Sequence, residues 1–89
     1  MEYYSVYLKP SAEKDLRRLS PPLVSRVLAA IEGLRSAPFP PGAVKLTGAQ
    51  RVYRLRVGDY RIIYEVNAHT REVTVYYVRH RREAYRSLP

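Results

Sequence analysis

Residues 52–66, VYRLRVGDYRIIYEV, alternate polar and apolar positions, break at Gly58-Asp59, and alternate back. A period of two marks a half-buried strand, and Gly-Asp between two such runs suits a two-residue hairpin with a primed turn. The pattern predicts strands over about 51–57 and 60–67, with a third over 72–78 after the looser turn NAHTR. Upstream, EYYSVYL at 2–8 alternates weakly and is rich in Tyr and Val, which reads as a first strand. Pro10-Ser11 then opens a short helix with Ala12, Leu16 and Leu19 at helical spacing. Ser20-Pro21-Pro22 signals a second helix, with Ser as N-cap and proline where the missing N–H costs nothing. It extends to about Ser36, and Val24, Val27, Leu28, Ile31 and Leu34 form its apolar stripe. APFPPGA at 37–43 holds too much Pro and Gly for either element and reads as a stiff connector. HRREAYRSL at 80–88 has few β-branched residues and suits a short terminal helix. The expected class is α+β in one domain over 1–89: strand, two helices, a three-stranded antiparallel meander and a short C-terminal helix.

Alternation also decides where side chains of the hairpin point. A two-residue loop pairs Val57 with Tyr60, Arg56 with Arg61, Leu55 with Ile62 and Arg54 with Ile63. Tyr53, Leu55, Val57, Ile62 and Tyr64 then share a core face, while Arg54, Arg56, Arg61 and Glu65 share the other. Arg56 and Arg61 stand directly opposite, with Cβ atoms about 5 Å apart. Like charges in that arrangement cost stability. The face is either a solvated surface, partly compensated by Glu65, or a basic surface for phosphate.

Composition favours the second reading. Sixteen Lys and Arg against eight Asp and Glu give a formal charge of +8, which suits a polyanionic partner such as nucleic acid or an acidic protein. The excess is uneven: residues 1–44 carry six basic and four acidic groups, residues 45–89 ten and four. Thirteen of the sixteen are arginine, whose fixed fork of donors matches phosphate. The 46% apolar fraction is enough for one core at this size. The chain has no cysteine, so neither a disulfide nor a thiolate zinc site is available. Two isolated histidines, His69 and His80, make no convincing metal site. With neither a signal-peptide pattern nor a membrane-length apolar run, a soluble cytoplasmic protein is expected, with no membrane partner.

The segment YYVRHRREAYRSL at 76–88 adds Arg79, His80, Arg81, Arg82 and Arg86, with Tyr85 one helical turn beyond Arg81. The ordered set KL…VYRLRVGDYRIIYEV…VTVYYVRHRREAYR, with the earlier SAEKDLRRL and the Lys45-Leu46 pair, resembles the RelE/ParE superfamily of toxins from toxin–antitoxin modules. That resemblance covers nearly the whole chain. It implies two N-terminal helices over a small sheet, and a C-terminal helix.

RelE-type members cut messenger RNA in the ribosomal A site without metal or cofactor, by attack of the ribose 2′-OH on the adjacent phosphate. The resemblance therefore implies an endoribonuclease whose catalytic positions are Arg54, Arg56, Arg61, Arg81 and Tyr85, with Lys45, Arg79, Arg82 and Arg86 holding RNA. Where RelE has two lysines, this chain has Arg54 and Arg56. Arginine cannot give up its proton, so these two are assigned to phosphate binding and transition-state charge, and the general base is open. His80 is the local candidate because imidazole titrates near neutrality. Tyr85 can stack on a base, act as base, or assist proton transfer. The superfamily's ParE-like members instead poison DNA gyrase, and a binding module with little catalysis is a third reading. The implied partners are a cognate antitoxin and the ribosome with its message.

Overall fold

The computed structural model describes residues 3–83. Its elements are β1 (Ser5–Leu8), α1 (Pro10–Arg17), α2 (Pro21–Gly33), β2 (Val44–Lys45), β3 (Val52–Val57), β4 (Tyr60–Asn67) and β5 (Glu72–His80). The hairpin and the meander form with the expected register, from Val57 opposite Tyr60 to Val52 opposite Glu65. The sheet is wider than the meander. Its strand order is β1-β5-β4-β3-β2, with β1 parallel to β5 and the remaining pairs antiparallel.

Both additions have a physical reason that lies outside any local pattern. β1 is joined to β5 by chain-distant pairing, Ser5 opposite Glu72 through Leu8 opposite Val75, with α1 and α2 intervening in sequence. Two-residue β2 is too short to show a period; it forms because Val44 and Lys45 lie against Arg54 and Tyr53, and the Leu46 N–H donates to the Val52 carbonyl. The first strand begins at Ser5, while the last runs to His80, two residues past its expected end, because Tyr60 supplies His80 with a pairing partner. Residues 81–83 form a turn, and the expected terminal helix lies otherwise outside the described residues.

Helices cover one face of the sheet. Ala12, Val27, Ile31 and Leu34 meet Leu55, Ile62, Tyr64, Val66, Val73, Val75 and Val78 in one buried cluster. Each such aliphatic side chain contributes roughly 1.5–3 kcal/mol on burial. On α2 the buried positions are Val27 and Ile31, continued by the C-cap residue Leu34 in one narrow stripe, and Leu28 stands beside it at 42% exposure. Ser20 is the N-cap, but its side chain makes no capping bond. The two prolines that follow leave only the third helical N–H for a hydroxyl to meet. Fully buried Tyr64 directs its hydroxyl to the Pro38 carbonyl at 2.9 Å, which ties the 37–43 connector to the core.

Where β1 ends, α1 continues the edge of β5. The Ser11 hydroxyl donates to the Tyr76 carbonyl at 2.6 Å, and one helical turn later the Asp15 carboxylate accepts the Val78 N–H at 3.0 Å. A β-bulge lies opposite Ile63 and Tyr64: Ile63 pairs with Tyr77 and Tyr64 with Val75, leaving Tyr76 as the extra residue. Among the described residues, no helix is long and apolar enough to cross a membrane.

Candidate functional site

The helix-free face of the sheet is where the arginines collect. Gly58 has φ +58° and Asp59 a negative φ, so the hairpin turns with one left-handed central residue, as in type II′. This turn matches the twist of the strands and holds Arg56 opposite Arg61. On the next strand Arg61 faces Arg79. Three adjacent strands, each about 4.8 Å from the next, therefore carry a row of guanidinium groups. Arg54 stands two residues from Arg56 on the same face, opposite Ile63, which in turn faces Tyr77. Ile63 is fully buried although it points away from the helices. Its cross-strand neighbours Arg54 and Tyr77 have long enough side chains to cover it.

The row survives its own repulsion because each member is held by an acceptor, and Arg56 and Arg61 share one. Arg56 Nε donates to the Gly58 carbonyl at 3.1 Å, and Arg61 Nη1 donates to the same carbonyl at 3.3 Å and to that of Tyr60 at 3.1 Å. Arg79 is held by a carboxylate: its Nε lies 3.0 Å from Asp15 Oδ2, and its guanidinium sits 4.3 Å from the Tyr77 ring centre. Asp15 is 7% exposed, so one buried oxygen accepts both from Arg79 and from the Val78 backbone. Arg81 joins from the far end of the chain. Its backbone N–H donates to the Asp59 carbonyl at 2.7 Å, which sets Arg81 against the tip of the hairpin.

Not every expected residue comes to this face. Lys45 pairs with Tyr53 and so faces the helix side, while its neighbour Val44 stands beside Arg54. His80 pairs with core-facing Tyr60, their rings edge-to-face at 5.5 Å, and lines a small cleft with Asp15, Arg18 and Glu83. It lies across the sheet from Arg61 and Arg79, and its Nδ1 accepts the Arg82 N–H at 3.3 Å. Arg82 is exposed on the turn beyond β5. His69 is exposed in the β4–β5 turn, where Asn67 Oδ1 accepts its N–H. Tyr85 and Arg86 lie outside the described residues. Among the described residues, no three of His, Asp and Glu converge to hold a metal ion.

Two phenols are shifted away from any role as base. The Tyr76 hydroxyl donates to Glu65 Oε1 at 2.6 Å; that bond, then burial and the carboxylate charge, push its pKa up to about 12. Burial, with Tyr53 second, raises Tyr64 to about 12 as well. Both are donors at neutral pH. The open face is thus an array of cationic donors suited to binding a phosphate and the charge that grows on it.

Sequence reasoning missed Asp15 and the tyrosines beside the arginines. The signal for Asp15 was present: it lies three residues after Ala12 and four before Leu19, a carboxylate on the apolar side of its helix. Such a position requires a buried partner.

The family model for the ParE toxin of the type II toxin–antitoxin system parDE matches residues 6–85. "Putative toxin RelE1" of Methanocaldococcus jannaschii is 29% identical over 87 residues, spanning 94% of this chain and 97% of that one. The fold is similar to RelE in the archaeal RelE–RelB complex from Pyrococcus horikoshii, with a TM-score of 0.80, 30% identity, and coverage of 91% of this chain and 98% of that one. It is also similar to the toxin–antitoxin complex RelB–RelE from Methanococcus jannaschii, with a TM-score of 0.74, 28% identity, and coverage of 93% and 99%.

Proposed function

The chain belongs to the ParE toxin family of type II toxin–antitoxin systems, and from that premise we propose that it is a ribosome-dependent messenger-RNA endonuclease. The observation that supports this reading is the row Arg56–Arg61–Arg79, with Arg81 tied to its end by the Asp59 carbonyl. A phosphodiester placed on the row is attacked by the neighbouring ribose 2′-oxygen. The bond from phosphorus to the 5′-oxygen breaks, and a 2′,3′-cyclic phosphate and a 5′-hydroxyl result. One proton leaves the 2′-oxygen and one reaches the departing 5′-oxygen.

Arg61 and Arg81, with Arg54 and Arg56, neutralise the charge that builds on the phosphoryl oxygens. Preorganised donors of this kind lower the barrier because they are aimed before the charge appears. His80 lies on the opposite face of the sheet, which argues against it as the base; the resemblance to RelE-type toxins keeps Tyr85 as the candidate for proton transfer. Product ends test the chemistry. A cyclic phosphate and a 5′-hydroxyl agree with it, and a 5′-phosphate contradicts it.

Relatives solved as toxin–antitoxin complexes support a cognate antitoxin for this chain too. An acidic segment of such a partner complements the arginine face. The match to ParE favours one second reading, inhibition of DNA gyrase. Loss of supercoiling activity with messages intact would select it.

A further inference from the structure

The helix-free face carries aromatic rings beside its arginines, and phosphate binding does not use them. Tyr7 lies between Val6 and Leu8, which turn to the core, and is 52% exposed on the opposite side. The β5 bulge sets Tyr76 and Tyr77 together on that same side, where Tyr76 reaches Glu65 and Tyr77 faces Ile63. Each of these two rings has a cation at hand: Lys9 Nζ is 5.9 Å from the Tyr76 centre, and Arg79 is 4.3 Å from that of Tyr77. Tyr7 pairs with Thr74 on β5, so the rings continue the arginine row across the sheet to its β1 edge.

We propose that Tyr7, Tyr76 and the guanidinium of Arg79, stacked on Tyr77, form a base-stacking platform for single-stranded RNA, adjoining the arginine row and lengthening its footprint. The inference rests on the RNA reading of that row. A single strand offers phosphates on one side and unpaired bases on the other, and a basic groove interleaved with aromatic rings meets both. Charge selects the same ligand: Lys9, Arg54, Arg56, Arg61 and Arg79 border the platform, and the nearby acids are engaged, Glu65 by the Tyr76 hydroxyl, Glu72 by the Thr70 hydroxyl and Asp15 by Arg79. That bond also fixes the Tyr76 ring, so less freedom is lost when a base stacks on it.

The test is fluorescence anisotropy of the full chain with labelled single-stranded RNA of about four and about ten nucleotides. The longer RNA should bind roughly tenfold more tightly, the gain of about one stacked base. Tyr7→Leu should lose most of that gain, and Tyr7→Phe, which keeps the ring, should retain it. An abasic oligonucleotide of the longer length, equal in charge, should bind the unsubstituted protein roughly tenfold more weakly than the ordinary one, a comparison independent of any variant's folding. Equal affinity for the abasic and ordinary RNA, or no gain with length, overturns the platform. So does unchanged RNA affinity in Tyr7→Leu when an acidic antitoxin segment loses its grip, since the row then serves a protein. None of these results touches message cleavage, which tests the arginine row separately.

Discussion

Arg56 and Arg61 face each other across a strand pair and both donate to the Gly58 carbonyl. One oxygen between two guanidinium groups lowers the cost of placing them together, and leaves their remaining donors for a ligand. Asp15 works from the acceptor's side, where one buried carboxylate oxygen serves the Val78 N–H and the Arg79 side chain. Removing it in Asp15→Ala takes an acceptor from a buried N–H and a counter-charge from a partly buried arginine, at a cost of about 3 kcal/mol. Asp15→Asn keeps an acceptor for the N–H and should lose about half as much. Urea unfolding measures both, and equal stability of Asp15→Ala and the unsubstituted protein would contradict this view of α1 docking. At this scale the arginine pairing was legible from alternation alone. The placement of Asp15 on the apolar side of α1 was legible too, but its partners were not, because they are 63 and 64 residues away in sequence.

Among the elements, the β3–β4 hairpin is the one on which the site depends. Gly58 holds a positive φ of +58°. A Cβ there would lie 3.5 Å from the Arg26 guanidinium, ordinary contact, so space is not the obstacle. The cost is conformational, and Gly58→Ala should destabilise by about 1–2 kcal/mol. Thermal unfolding would then move down by roughly 4–8 °C per kcal/mol. An unchanged midpoint would show that the turn tolerates a side chain. The hairpin register was readable to the residue because two loop positions leave no slack in the pairing. Neither the parallel β1 nor the bulge at Tyr76 was readable that way. β1 takes its partner from the other end of the chain, and the bulge depends on how β5 meets both β4 and α1. The bulge matters for the site, since it sets Tyr76 and Tyr77 on one face. The limit of β5 had a similar effect: carried on to His80, the strand's alternation turns that imidazole to the helix side.

For the molecule as a whole, the net charge of +8 is focused by the fold. Helices take one face of the sheet and the guanidinium row takes the other, so a polyanion meets a directed surface rather than a diffuse charge. The same architecture makes tyrosine ionisation a probe of folding. Tyr64 and Tyr76 are raised from 10.0 to about 12. A raised phenol favours the folded state while protonated. Its contribution is whole below the unfolded value near 10 and is lost as pH climbs to about 12. Ultraviolet titration of the nine tyrosines should show a late-ionising class, reduced by one in Tyr76→Phe. A single transition near the ordinary value would contradict the buried phenol and the Tyr76–Glu65 bond.

The function of the whole molecule turns on whether its arginine face cuts translated messages. Mapping of 5′ ends in a translating extract decides this, with the unsubstituted protein, the double variant Arg61→Ala/Arg81→Ala, and Arg17→Ala on the exposed side of α1. Cleavage on the arginine face should give ribosome-dependent cuts within codons, unchanged in Arg17→Ala and reduced at least about 100-fold in the double variant. Intact messages in every sample, or equal cutting by all three proteins, would contradict it.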